Sequence, residues 1–118
     1  MTRKRIYVAG PYSCEGRCEP LGVDLHNMRL GHKVCARLMA TGYAPFCPWL
    51  DYLYHFVAAD DRIPSKLDYY DYSMAFLEVC DAVLVIGIRP NSKGVLAEIQ
   101  RAESLGIPVF HRLIDINF

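Results

Sequence analysis

The sequence predicts an α/β fold: a single-domain, doubly wound sheet of the Rossmann/flavodoxin-like class, mostly parallel, with helices on both faces. Three observations carry that reading. Ala82–Ile88 is an almost unbroken apolar run, as expected of a strand covered on both faces of a parallel sheet. It leads through Arg89–Gly94, rich in turn formers, into a helical pattern and then a second apolar run, Ile107–Phe110. The whole chain alternates such runs with helical stretches in the order β-α-β-α-α-β-α-β.

Arg5–Ala9 is the first strand, and Gly10-Pro11 turns the chain tightly after it. Gly10 just after the strand lets a ligand approach the backbone closely. Tyr12–Gly22 holds two Gly and a Pro and reads as a loop over the strand ends. Leu25–Met39 places Leu25, Met28, Val34, Cys35, Leu38 and Met39 at helical spacing, and Gly42 ends that helix. Tyr43–Phe46 is the second strand, bounded by Pro45 and Pro48. The aromatic WLDYLYHF run is a short helix, in which His55 is either a packing histidine or a ligand contact. Ala58–Lys66 is polar and reads as a loop. Asp68–Val79 is the third helix, with Tyr69, Tyr72, Phe76 and Val79 as its apolar stripe, and Asp71 and Ser73 as polar positions. Ser92 caps the fourth helix, which stops at Gly106. The tail Arg112–Phe118 stays apolar, so it either folds back or meets a partner.

The strand–helix–strand unit from Cys80 to Phe110 needs a right-handed crossover. Ligands in such sheets bind outside the carboxyl ends of the strands, which points to the loop Asn91–Gly94 and the first turns of the helix. Glu98 is the one carboxylate early in that helix. Val95, Ile99 and Ala102 mark its buried face, and Glu98 lies about 60° from Val95, on the flank. Two readings stay open. Glu98 is a surface carboxylate paired with Arg101 three residues on, or it stands at the lip of a cleft beside a helix start that favours anions.

Composition bounds the answer. With 118 residues, 53% of them hydrophobic and 22% charged, the chain reads as one globular domain spanning 1–118. Thirteen basic residues balance thirteen acidic ones, so no global field recruits a nucleic acid polymer or an acidic membrane. The basic Thr2–Arg5 cluster is too short for a targeting signal, and no apolar run approaches the ~20 residues that cross a bilayer. A cytoplasmic location is the expectation. Five cysteines form no CxxC; Cys35, Cys47 and Cys80 sit in apolar settings as small hydrophobes. Cys14 and Cys18, with His26 and His32, match no common zinc spacing. No metal is expected.

Three stretches, IYVAGPYS at 6–13, CDAVLV at 80–85 and SKGVLAEIQRAESLGIPVF at 92–110, resemble the nucleoside 2-deoxyribosyltransferase-like superfamily, which includes nucleoside 5′-monophosphate N-glycosidases. The last stretch is the most specific. The resemblance implies that Glu98 is a nucleophile at the sugar anomeric carbon and that Tyr7 of the first strand orients it. It implies a nucleoside or nucleoside 5′-monophosphate as substrate, with no organic or metal cofactor; together with the positions singled out from the chain itself, the candidate binding contacts are Gly10, Pro11, His55, Ser73, Ser92, Lys93 and Gly94. It also implies a homo-oligomer, most simply a dimer, since relatives complete their pockets across a subunit boundary.

Two positions bear on the subclass. Six residues before the nucleophile, base-exchanging transferases carry Asp and monophosphate hydrolases a phosphate-binding Ser. Here that residue is Ser92, beside Lys93 at a helix start that suits a 5′-phosphate. Eight residues before the Asp81 equivalent, the superfamily carries an Asp that assists the departing base. This chain has Ser73 there, and Asp71 two residues earlier. Either Asp71 acts from a shifted turn, or the base is protonated differently, or the pocket binds a nucleotide without turning it over.

Overall fold

β1 (Arg5–Ala9) is the strand on which the sheet is built, and Ile6, Tyr7, Val8 and Ala9 are wholly buried within it. The computed structural model describes residues 2–11, 25–48, 54–57, 64–87 and 93–116. After β1 come α1 (Leu25–Ala40), β2 (Ala44–Phe46), a single helical turn α2 (Tyr54–Val57) and α3 (Lys66–Leu77). The chain continues through β3 (Ala82–Val85), α4 (Lys93–Ser104), β4 (Val109–Phe110) and a 3-10 turn at Leu113–Asp115. The strands lie in the order β2-β1-β3-β4 and every pairing is parallel, which is the doubly wound, Rossmann/flavodoxin-like arrangement that the sequence predicts.

From β1 the chain moves one way, to β2; from β3 it moves the other way, to β4. Right-handed crossovers in opposite directions cover opposite faces. Ile6 and Val8 pack with Met28 and Leu38 of α1, whereas Tyr7 and Ala9 pack with Met74 and Leu77 of α3 and Ala102 of α4. The alternation follows from the pleat, which sends successive side chains to opposite faces.

Several boundaries differ from the sequence reading, each for a physical reason. β3 ends at Val85 although the apolar run extends to Ile88. Its neighbour β1 stops at Gly10-Pro11, Ile86 still donates its N–H to the Ala9 carbonyl at 2.8 Å, and Gly87 then turns the chain at φ +93°. Strand β4 is confined to Val109–Phe110 because Pro108 has no N–H, though its carbonyl accepts from Val83 at 2.9 Å. α3 begins two residues before the expected Asp68, since Ser65 caps it. The Asp68 amide donates to the Ser65 hydroxyl at 3.1 Å, and the Ser65 amide donates to the Asp68 carboxylate at 2.8 Å.

The buried stripes also need correction. In α3, Met74 and Leu77 are buried and Ser73 is half-buried, whereas Phe76 and Val79 are exposed. The helix is therefore rotated relative to the expected Tyr69–Tyr72–Phe76–Val79 stripe, and Ser73 turns toward the sheet. In α4 the buried residues are Val95, Glu98 and Ala102, with Ile99 only half-buried. Glu98 is thus in the core-facing stripe, not on its flank. On α1 Met39 is exposed, and buried Asn27 takes a place on the inner stripe instead. The tail folds back in part: Ile116 is buried in the α1-side core and Leu113 packs on it, while Ile114 stays exposed. Among the described residues no helix is long and apolar enough to cross a membrane.

Candidate active site

Glu98 and Tyr7 meet because two elements bring them to the same depth. α4 runs back down the sheet from the carboxyl end of β3, and Glu98, five residues past Lys93, sits about 7.5 Å below the helix start. Tyr7 lies two residues before the end of β1, about 6.6 Å below the same edge. Its side chain points to the α3/α4 face. The carboxylate and the phenol are therefore placed side by side under the reversal point between β1 and β3, where doubly wound sheets bind ligands.

The electrostatics follow from burial. Glu98 is only 9% exposed, and desolvation pushes its pKa up to about 7, with the Tyr7 hydroxyl opposing the rise. The Tyr7 phenol is raised far above its ordinary range, first by burial and then by the Glu98 charge, while the Ser73 hydroxyl acts the other way. Tyr7 Oη stands between Glu98 and Ser73 but stops short of full hydrogen-bonding geometry with any described residue. A buried polar atom in that condition is rare in folded proteins and points to a group with another task.

The pairing of Glu98 with Arg101 is excluded. The Arg101 guanidinium donates to Glu78 at the end of α3 at 2.9 Å, and the two side chains are half exposed. No cation of the described residues pairs with Glu98. A carboxylate on the core face with no counter-ion among the described residues, half ionised near neutral pH, suits a nucleophile or a general base.

Aromatic rings pack around Tyr7, and the carboxyl ends of β1 and β3 are tightly built. Phe46 of β2 lies 5.6 Å from Tyr7, ring centre to ring centre, and stacks on Phe76 at 4.5 Å. Tyr72 packs against both Phe46 and Phe76, and Tyr54 of α2 meets Tyr72 edge-on. At the carboxyl ends, Gly10 and Pro11 are buried, and a Cβ on Gly87 would come within 2.5 Å of the Pro11 ring. The Pro11 carbonyl accepts from Asn27 Nδ2 of α1 at 3.0 Å, which fixes the exit of β1. Asn27 is a polar position that helical spacing alone does not mark as functional. Its register with Gly31, Val34 and Leu38 nonetheless places it on the inner stripe of α1.

The other expected site residues are dispersed. Lys93 and Gly94 are exposed in the first turn of α4. Asp71 is exposed on α3, and two residues of helix set it roughly 200° around from Ser73, away from Tyr7. Its expected catalytic part is therefore not supported by its position. His55 belongs to α2, but its side chain lies outside the described residues, and so do Ser92, Cys14 and Cys18. His26 and His32 are exposed on α1, and the described residues assemble no cluster of three or more His, Cys, Asp or Glu side chains that could hold a metal.

The chain belongs to a family described as a domain of unknown function (DUF7768), whose model matches residues 4–112. No curated protein matches it.

Proposed function

We propose that this DUF7768 chain cleaves the N-glycosidic bond of a nucleoside or of its 5′-monophosphate, with Glu98 as nucleophile. One observation carries the reading most: a buried carboxylate with no counter-ion among the described residues, beside an unsatisfied phenol, under the reversal point of a doubly wound sheet. The resemblance of residues 92–110 to the nucleoside 2-deoxyribosyltransferase-like superfamily supports the same residue. Glu98 attacks C1′ as the bond to the base breaks, through an oxocarbenium-like transition state, and a sugar ester forms on the carboxylate. Water or a second base then displaces Glu98 from C1′, giving hydrolysis or base exchange. Tyr7 holds the attacking oxygen in line and stabilises the charged form. The leaving base takes its proton from water, since Asp71 faces away from Tyr7.

The test is release of free base from a panel of nucleosides and nucleoside 5′-monophosphates, with Glu98→Ala as the control. Release by wild type and none by the variant is the expected result. Equal turnover by both proteins ends the proposal.

A second reading has an observation of its own. Ser73, not a carboxylate, faces Tyr7, and no second acid of the described residues is seen to act on that phenol. A pocket of this kind suits a nucleotide-binding module without chemistry. In that case nucleotide binding survives Glu98→Ala and no substrate of the panel is cleaved by wild type.

A further inference from the structure

Two thiols on the other face of the sheet are brought together by the fold and take no part in the site above. Cys35 lies in the third turn of α1 and Cys47 immediately follows β2. They are twelve residues apart in the chain, and their Sγ atoms stand 3.4 Å apart. Cys47 is buried, whereas Cys35 is half-buried and within reach of a small solute. Both sulfurs belong to the packing between α1 and the sheet, where the alternation of β2 sends Cys47 away from Phe46 and from Tyr7.

We propose that Cys35 and Cys47 form a redox-sensitive dithiol, which hydroperoxides oxidise to an intramolecular disulfide. The sulfurs need to close by only about 1.4 Å to reach the bonding distance of about 2.0 Å. No change of partner elements is required. Cys35 is the attacking group. In its thiolate form it accepts a hydrogen bond from the Cys47 thiol, which lowers the pKa of Cys35 and raises that of Cys47. The Cys35 thiolate attacks the peroxide O–O bond, releasing alcohol or water and leaving a sulfenic acid. Cys47 then attacks that sulfur; the S–S bond forms and the hydroxyl leaves as water with the Cys47 proton. Overall the two thiols lose two electrons and two protons, and one hydroperoxide is reduced.

Cys80 provides the internal contrast. Its thiol is buried, donates to the Phe76 carbonyl at 3.3 Å, and is pushed up to about 11 by burial and by the Asp81 charge. It has no sulfur partner among the described residues. It should stay reduced under the same treatment.

The experiment uses the full wild-type chain and hydrogen peroxide. After oxidation, free thiols are alkylated without reduction and the digest is mapped by mass spectrometry. A peptide linking Cys35 to Cys47, reversed by dithiothreitol, is the expected product, with Cys80 recovered alkylated. Cys35→Ser should abolish the link. Cys47→Ser should stop the reaction at a sulfenic acid on Cys35, which dimedone traps. Recovery of Cys35 and Cys47 alkylated to the same extent as Cys80 overturns the proposal, and so does a link only between Cys14 and Cys18 or between two chains. The wild-type map alone decides the matter if either variant fails to fold.

Discussion

Tyr7 of β1 and Glu98 of α4 share one buried pocket of charge: the phenol opposes the rise in the pKa of the carboxyl, and the carboxylate raises that of the phenol. The pairing sets a pH window. If Glu98 is the nucleophile, only its ionised form reacts, so kcat/KM rises with pH and levels off above about 7. At pH 5 activity should be about a hundredfold below that plateau. Tyr7→Phe removes the hydroxyl that holds the carboxyl down, so the limb should move to higher pH as activity falls. A profile flat from pH 5 to 8 would remove Glu98 from the chemistry.

The same shift predicts a stability effect of opposite usefulness. Burial raises the folded-state pKa of Glu98 from 4.5 to about 7, so folding favours the protonated form. Its stabilising contribution is complete below pH 4.5 and is lost as pH rises through 7. At pH 8 the buried charge costs about 3 kcal/mol. Glu98→Gln, inactive under the proposed mechanism, should therefore be more stable than wild type at pH 8 and show little advantage at pH 4. Denaturant midpoints at the two pH values measure it; an advantage that does not shrink with acid contradicts the assignment.

Gly87 faces Pro11 too closely for any side chain, and its φ of +93° adds backbone strain. Gly87→Ala should destabilise the fold by about 2–4 kcal/mol. Gly106 also has positive φ, but a Cβ there meets nothing within 4 Å, so Gly106→Ala should cost only about 1 kcal/mol. Equal losses in urea titrations of the two variants would mean that the approach of Pro11 to Gly87 contributes nothing.

A phosphate preference would define the substrate class. Lys93 is exposed in the first turn of α4, beside Ser92, where a helix start favours an anion. If Ser92 and Lys93 grip a 5′-phosphate, monophosphates should exceed the matching nucleosides by roughly ten- to a hundredfold in kcat/KM. Ser92→Ala should erode most of that preference and leave nucleoside turnover nearly unchanged. Ser92→Asp should repel the phosphate outright. Equal turnover of both substrates by wild type would reduce Ser92 to a helix cap.

Apolar side chains of α2 and α3 remain uncovered, notably Val57, Leu67 and Tyr70. Contiguous exposed apolar surface marks contact sites, and if these side chains form one such surface, a two-fold dimer is the simplest assembly that covers it. Light scattering should give twice the 13.4 kDa of one chain. Replacing Leu67 and Tyr70 by Lys should return the mass to that of a monomer. A monomeric wild type at micromolar concentration would exclude the dimer.

The sequence made the element order legible because each parallel strand is an apolar run and each helix is closed by a recognisable stop, such as Gly106. Strand ends were less legible, since Val85 ends β3 only where its neighbours run out of partners. Helix rotation was the main loss. Ser73 and Glu98 are polar, so periodicity leaves Ser73 a polar position of α3 and Glu98 on a flank, yet both turn toward Tyr7. Resemblance pointed to Glu98 and Tyr7 where spacing left Glu98 undecided. The Cys35–Cys47 contact could not be read, because twelve residues of helix and strand separate two sulfurs that only the crossover brings together.

The bond pattern at the foot of β1 has a consequence for fidelity of assembly. Arg5 donates its amide to the Asp81 carboxylate at 2.7 Å, and Asp81 returns its own amide to the Arg5 carbonyl at 2.8 Å. That double clasp indexes β1 against β3. A slip of a single residue would exchange odd for even side chains, sending the Tyr7 phenol to the α1 side and leaving Ile6 beneath Glu98. Asp81 precedes β3, at the end of the sheet opposite the candidate site, yet it is the parity mark that decides whether a correctly folded sheet also carries a correctly sided phenol.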